Sequence, residues 1–201
     1  MAKDIIATEI PTETHPFPPF IPENGTVLIA GTFPPKANRW SMPFYYPNRT
    51  NDFWKIMGLV FYNNPMRFWN VEKKEFREKD IRNFLIERGI ALTDTGHVVR
   101  RLKDNASDKF LEIIEPFDLH TILRTMPHCR FIATTGEKAA ETLAAITATR
   151  APRIGESVDY HSPDGRLIKI FRMPSTSRAY PLPLEKKAEA YALLMKTAKL
   201  V

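Results

Sequence analysis

Four short apolar runs punctuate the chain: Thr26–Ala30 (TVLIA), Ile90–Thr93 (IALT), Arg130–Thr134 (RFIAT) and Leu167–Phe171 (LIKIF). They are rich in β-branched residues and almost free of polar alternation, which predicts strands buried on both faces. Between them apolar residues return at helical spacing. Phe53, Ile56, Met57, Val60 and Phe61 share one face, with Thr50 or Asn51 as the cap and Asn63-Asn64-Pro65 as the stop. Further helices are predicted over 75–88, closed by Gly89, and over 107–114, opened by Ser107-Asp108. Three more run from Asp118 to about Met126, from Gly136 to about Thr147, and through Leu184, Ala188, Tyr191, Ala192 and Met195. Strands that alternate with helices predict an α/β fold, a mainly parallel sheet with helices on both faces. Residues 1–25, with Pro11, Pro16, Pro18, Pro19 and Pro22, read as an extended lead-in that ends at the Asn24-Gly25 turn. No repeat or linker divides the rest, so 1–201 reads as a single domain.

In such sheets ligands bind beyond the carboxyl ends of the strands. The loops expected there are Gly31–Pro35, Thr93–His97, Thr134–Gly136 and Met173–Ser177. The first runs on into Trp40, Tyr45, Tyr46 and Arg49, a stretch of aromatics and bases. Phe33, Tyr45 and Tyr46 offer faces on which a nucleobase stacks, while Phe53 and Trp54 read as core. Asn51 either orients a water or a base, or only caps its helix. Ser175, Thr176 and Ser177, with Arg178, either grip a phosphate or form a turn whose hydroxyls satisfy local backbone. Arg100, Arg101 and Lys103 read as a DNA-facing patch or a solvated loop. Asp94 and His97 receive no role, although a carboxylate beside a pocket is able to position water. Ser107 and Asp108 read as helix caps.

Composition narrows the chemistry. At 43% hydrophobic and 26% charged residues the chain has ordinary globular balance. The formal charge of +6 favours a polyanionic partner, of which nucleic acid is the commonest. Cys129 is the only cysteine, so an intramolecular disulfide and a cysteine-based zinc site are excluded. The five histidines lack metal-ligand spacing, and no metal is expected. The phosphate loops GxxxxGK[ST] and GxGxxG and the GxSxG elbow are absent, so ATP, dinucleotides and serine-hydrolase chemistry have no support. No apolar run reaches membrane-spanning length and no signal-like segment opens the chain. A cytoplasmic protein with no membrane partner is expected.

Three motifs in order, GTFPP (31–35), YY-x4-N-x-FW (45–54) and MPSTS (173–177), resemble those of the uracil-DNA glycosylase superfamily, and most closely its hypoxanthine-DNA glycosylase branch. IALTDT, the Ala106-Ser107-Asp108 segment and TTGEKA are similar to landmarks between them. The likeness spans about residues 15–196. It implies a three-layer α/β/α fold around a central four-stranded parallel sheet. It also implies a monofunctional DNA glycosylase that hydrolyses the N-glycosidic bond of a deaminated base, hypoxanthine first and uracil second, in base-excision repair. No cofactor is implied. The partner is DNA containing the deaminated base, and a monomer is expected. By this resemblance Asn51 is the catalytic residue. Gly31, Thr32, Phe33, Pro34 and Tyr46 form the base pocket, and Ser175, Thr176, Ser177 and Arg178 contact DNA. Three positions depart from the branch pattern: Arg49, Thr135 and Arg178. A non-catalytic nucleic-acid binder and a nucleoside or nucleotide N-glycosidase on the same scaffold are the alternatives.

Overall fold

The computed structural model of the protein describes residues 10–103 and 108–201. In chain order its elements are β1 (Thr12–Thr14), β2 (Val27–Gly31), α1 (Phe53–Tyr62), β3 (Trp69–Asn70), β4 (Glu75–Phe76), α2 (Glu78–Arg88), β5 (Ile90–Asp94), β6 (Gly96–Arg101), β7 (Leu111–Pro116), α3 (Leu119–Thr125), β8 (Phe131–Thr134), α4 (Glu137–Thr147), β9 (Ser157–His161), β10 (Leu167–Arg172) and α5 (Leu184–Thr197).

The central sheet has the order β5-β2-β8-β10-β9. The neighbours β5, β2, β8 and β10 run parallel, and β9 closes one edge antiparallel to β10. The expected four-stranded parallel sheet is thus corrected to a five-stranded mixed one. The added strand, SVDYH, holds few apolar residues because an edge strand is only half covered, which hides it from a search for apolar runs.

Side chains on a strand alternate between faces, and this sorts the core into two layers. Val27, Ile29, Ile90, Leu92 and Ala133 point to one side, where α1, α2 and α5 bring Phe53, Trp54, Met57, Phe84, Leu85, Tyr191 and Met195. Leu28, Ala91, Ile132, Ile168 and Ile170 point to the other, against Leu119, Ile122 and Leu123 of α3 and Leu143 of α4. Each valine, leucine, isoleucine, phenylalanine or methionine among them stabilises the fold by roughly 1.5–3 kcal/mol when taken out of water. The result is three layers, helices on both faces of the sheet.

Two other expectations change. The helix over 107–114 is a single 3-10 turn, Asp108–Phe110, followed by strand β7; Ser107 lies outside the described residues. β7 pairs with β6, and β6 pairs with β1, in a separate three-stranded antiparallel sheet. Leu111 and Ile113 pair with Arg101 and Val99 there, and that pairing overrides the helix-like start at Asp108. The helix over 75–88 begins at Glu78, because Glu75–Phe76 pairs with Trp69–Asn70. Asp118 caps α3 as expected, accepting from the Thr121 N–H at 2.9 Å.

The lead-in packs onto the domain from residue 10 onward. Phe20 makes an antiparallel bridge with Leu92, and β1 lies along β6. No helix among the described residues is long and apolar enough to cross a membrane.

Gly58 sits inside α1, where alanine ordinarily stabilises a helix by about 1 kcal/mol. Here an added Cβ would lie 2.3 Å from the Asn64 carbonyl oxygen. Gly58→Ala is therefore expected to destabilise the protein by about 1–3 kcal/mol, read from the midpoint of urea unfolding.

Candidate functional site

The loops after β2 and β8 leave the sheet toward opposite faces, the first to α1 and the second to α4. Adjacent strands whose connections part in this way open a crevice at their carboxyl ends. A cavity of about 810 Å³ lies there. It is lined by Gly31, Thr32, Phe33, Pro34, Tyr46, Asn51, Ser175, Thr176, Ser177 and Arg178, so all ten candidate residues face one space. Asp94, Asp108 and Thr135 line it as well.

The first loop is fixed from behind. The Gly31 and Thr32 carbonyls accept from the N–H groups of Thr95 and Gly96 at 2.9 and 3.0 Å. Gly31 is required: a Cβ there would sit 2.3 Å from Asp94 Oδ1 and 3.2 Å from the Tyr46 hydroxyl. Phe33 is half-buried between two cationic or aromatic neighbours. The Arg101 guanidinium lies 5.4 Å from its ring centre, and the His15 ring meets it edge-on at 5.2 Å. Arg101 also donates to the Pro34 carbonyl at 2.7 Å and to Glu13 at 2.8 Å. Its side chain is only 8% exposed and braces this loop.

Tyr46 holds a left-handed backbone, φ 52°. Its ring stacks on Phe53 at 3.8 Å and its hydroxyl hydrogen-bonds Thr135 Oγ1 at 3.0 Å. Burial, with the nearby Asp94 charge, pushes the Tyr46 phenol well above its ordinary pKa and keeps it neutral. Tyr45 turns the other way into the core, donating to the Pro18 carbonyl at 3.1 Å. It does not line the cavity.

Asn51 Oδ1 accepts from the Phe53 N–H at 2.9 Å, so its oxygen caps α1 although the helix proper starts after Asp52. The carboxamide NH2 and a second lone pair on the oxygen remain for a ligand. Ser175 and Ser177 also serve their own turn, accepting from the N–H groups of Ser177 and Ala179 at 3.2 and 3.3 Å. Their hydroxyl protons stay free to donate. Arg178 is exposed at the mouth, with Arg39 and Lys109.

Two groups escaped the sequence reading. Lys187 of α5 is 1% exposed. Its ammonium donates to Asp52 Oδ2 at 2.9 Å and to the Ser177 carbonyl at 2.8 Å, while the Asp52 N–H donates to the Thr176 carbonyl at 2.8 Å. This brace ties the Asn51 loop to the Ser175–Ser177 loop. Lys187 falls on the face shared by Leu184, Ala188, Tyr191 and Leu194, and a lysine in an apolar stripe is the signal that marks it. The other group is His15, whose Nε2 meets Asp94 Oδ2 at 2.9 Å across 79 residues of chain, a contact no local pattern announces.

No protein-family model matches the sequence, and no curated protein does. Among solved structures the match includes the solution NMR structure of a protein from Methanosarcina acetivorans, described provisionally as a uracil DNA glycosylase. The two chains share one fold. The TM-score is 0.58 at 22% identity, over 91% of this chain and 98% of the other.

Burial by itself raises the Asp52 pKa, but the hydrogen bonds and charges of Lys187 and Lys55 outweigh it and hold the carboxyl below its ordinary value. Stability from this pair is then full above the ordinary aspartate range near about pH 4 and fades as pH falls through the depressed value. Lys187→Met is expected to cost about 2–3 kcal/mol near neutral pH, because the Asp52 carboxylate keeps only Lys55, at 3.1 Å, and the Ser177 carbonyl loses its donor. It is also expected to flatten the acid limb, in chemical unfolding followed from pH 7 to pH 2.

Proposed function

We propose that this protein is a DNA glycosylase of the uracil-DNA glycosylase superfamily, hydrolysing the N-glycosidic bond of a deaminated base in DNA, hypoxanthine first and uracil second. The observation that carries the reading is the convergence of ten residues from two connections far apart in sequence, β2 to α1 and β10 to α5, on one cavity at the carboxyl ends of the parallel strands. The fold shared with the M. acetivorans protein supports it, as does the formal charge of +6.

The chemistry runs as follows. Exposed Arg39, Lys109 and Arg178 draw the phosphate backbone to the mouth, an attraction that weakens with salt. The Ser175–Ser177 hydroxyls grip phosphates beside a nucleotide turned out of the stack, at a cost of a few kcal/mol. The base enters between Phe33 and Tyr46, with N–H groups of the Gly31–Pro34 loop at its edge. The Asn51 carboxamide holds the water or the base as the bond from C1′ lengthens and positive charge grows on the sugar. The water oxygen then bonds C1′, and an abasic site remains.

One observation favours a second reading, a nucleic-acid binder that releases no base. The Asn51 oxygen is already engaged by Phe53 N–H, and it would serve that binder as a cap alone.

The deciding assay uses end-labelled duplexes carrying one hypoxanthine or one uracil. Wild type is expected to produce alkali-sensitive sites, and Asn51→Ala to slow their formation by about 10²–10³-fold, the usual loss of one polar group acting on the transition state. Duplex binding with no base release from either lesion would establish the binder instead.

A further inference from the structure

Two carboxyl groups face the cavity in different surroundings. Asp94, at the end of β5, meets the His15 imidazole at 2.9 Å. Asp108, in the 3-10 turn before β7, accepts a 2.9 Å hydrogen bond from the neutral hydroxyl of Thr32, inside the GTFPP loop. Asp108 lines both this cavity and a second one of about 430 Å³ lined also by Gly136, Arg172 and Tyr180. Pairs of carboxyls whose environments differ are how one site supplies both an acid and a base.

We propose that Asp108 is a catalytic acid that protonates a purine leaving group in this cavity. The inference rests on the glycosylase reading and deepens it: it supplies a physical basis for a purine being excised in preference to a pyrimidine. A purine carries basic ring nitrogens, N3 and N7, and uracil carries none. In the step, the electron pair of the C1′–N9 bond passes to the base. The Asp108 proton neutralises that charge at a ring nitrogen. Water bonds C1′ and releases one proton to solvent, from which Asp108 is recharged.

The surroundings of Asp108 favour its acid form over that of an ordinary aspartate. Burial raises its carboxyl pKa, the Asp94 charge raises it further, and the Thr32 hydrogen bond with the more distant Lys138 and Arg101 lowers it by less. The acid form is therefore present below that raised pKa and lost above it. Hypoxanthine release should fall as pH rises through the same value.

The test is single-turnover release of hypoxanthine and of uracil by wild type and Asp108→Asn, from pH 5 to pH 9, with duplex affinity measured alongside. Asparagine keeps an oxygen for the Thr32 hydroxyl, and unchanged affinity certifies the fold. The expected result is a loss of about 10²–10⁴-fold on hypoxanthine, a much smaller loss on uracil, and disappearance of the alkaline limb. Wild-type rates on hypoxanthine in the variant, or an alkaline limb that survives, would overturn the assignment while leaving the glycosylase reading intact. Release of neither base by wild type would remove that reading, and the acid with it.

Discussion

An ammonium and a carboxylate taken out of water together are costly, and a pair of apolar side chains would fill the same volume at least as stably. The protein nevertheless places Lys187 against Asp52 under the floor of its cavity. The reason lies in what each group does besides neutralising the other. Lys187 holds the Ser177 carbonyl and Asp52 holds the Thr176 carbonyl through its N–H. Two loops from opposite ends of the sequence thereby acquire a fixed relation that dispersion alone would not specify. The spacing of Asn51 from the Ser175–Ser177 turn follows from it.

The other wall is held by a different device. Arg101 and His15 come from the three-stranded sheet and the segment just beyond it, and both converge on Phe33. The small sheet is thus a buttress. It carries none of the parallel strands, yet it sets the height and tilt of the ring on which a base would stack. Glu13, paired with Arg101 at 2.8 Å, links the lead-in to the same wall.

β2, β5 and β8 were legible because burial on both faces leaves little room for polar residues, whereas β10 buries only Ile168 and Ile170 and was legible from its apolar content alone. The ten candidate residues were legible as motifs, and they share one cavity. What escaped has one physical character: its signal is split between distant parts of the chain. β9 takes its pairing from β10 and shows little hydrophobicity of its own. β6 and β7 are amphipathic strands whose partners lie outside the main sheet, and Asp108 and Pro116 mimic the start and stop of a helix. Lys187 carries a solvent-loving side chain whose partner lies 135 residues earlier. His15 is one proline-flanked histidine until the fold brings Asp94 to it.

The contact between His15 and Asp94 and the contact between Lys187 and Asp52 bracket nearly the whole polypeptide, and that has a bearing on how the molecule is made. Synthesis proceeds from the amino end, and early segments collapse before late ones exist. The sheet strands through β8 are available while α5 is still inside the ribosome. A chain that ends before residue 187 lacks both the core side chains Tyr191, Leu194 and Met195 and the ammonium that ties the Asn51 loop to the Ser175–Ser177 loop.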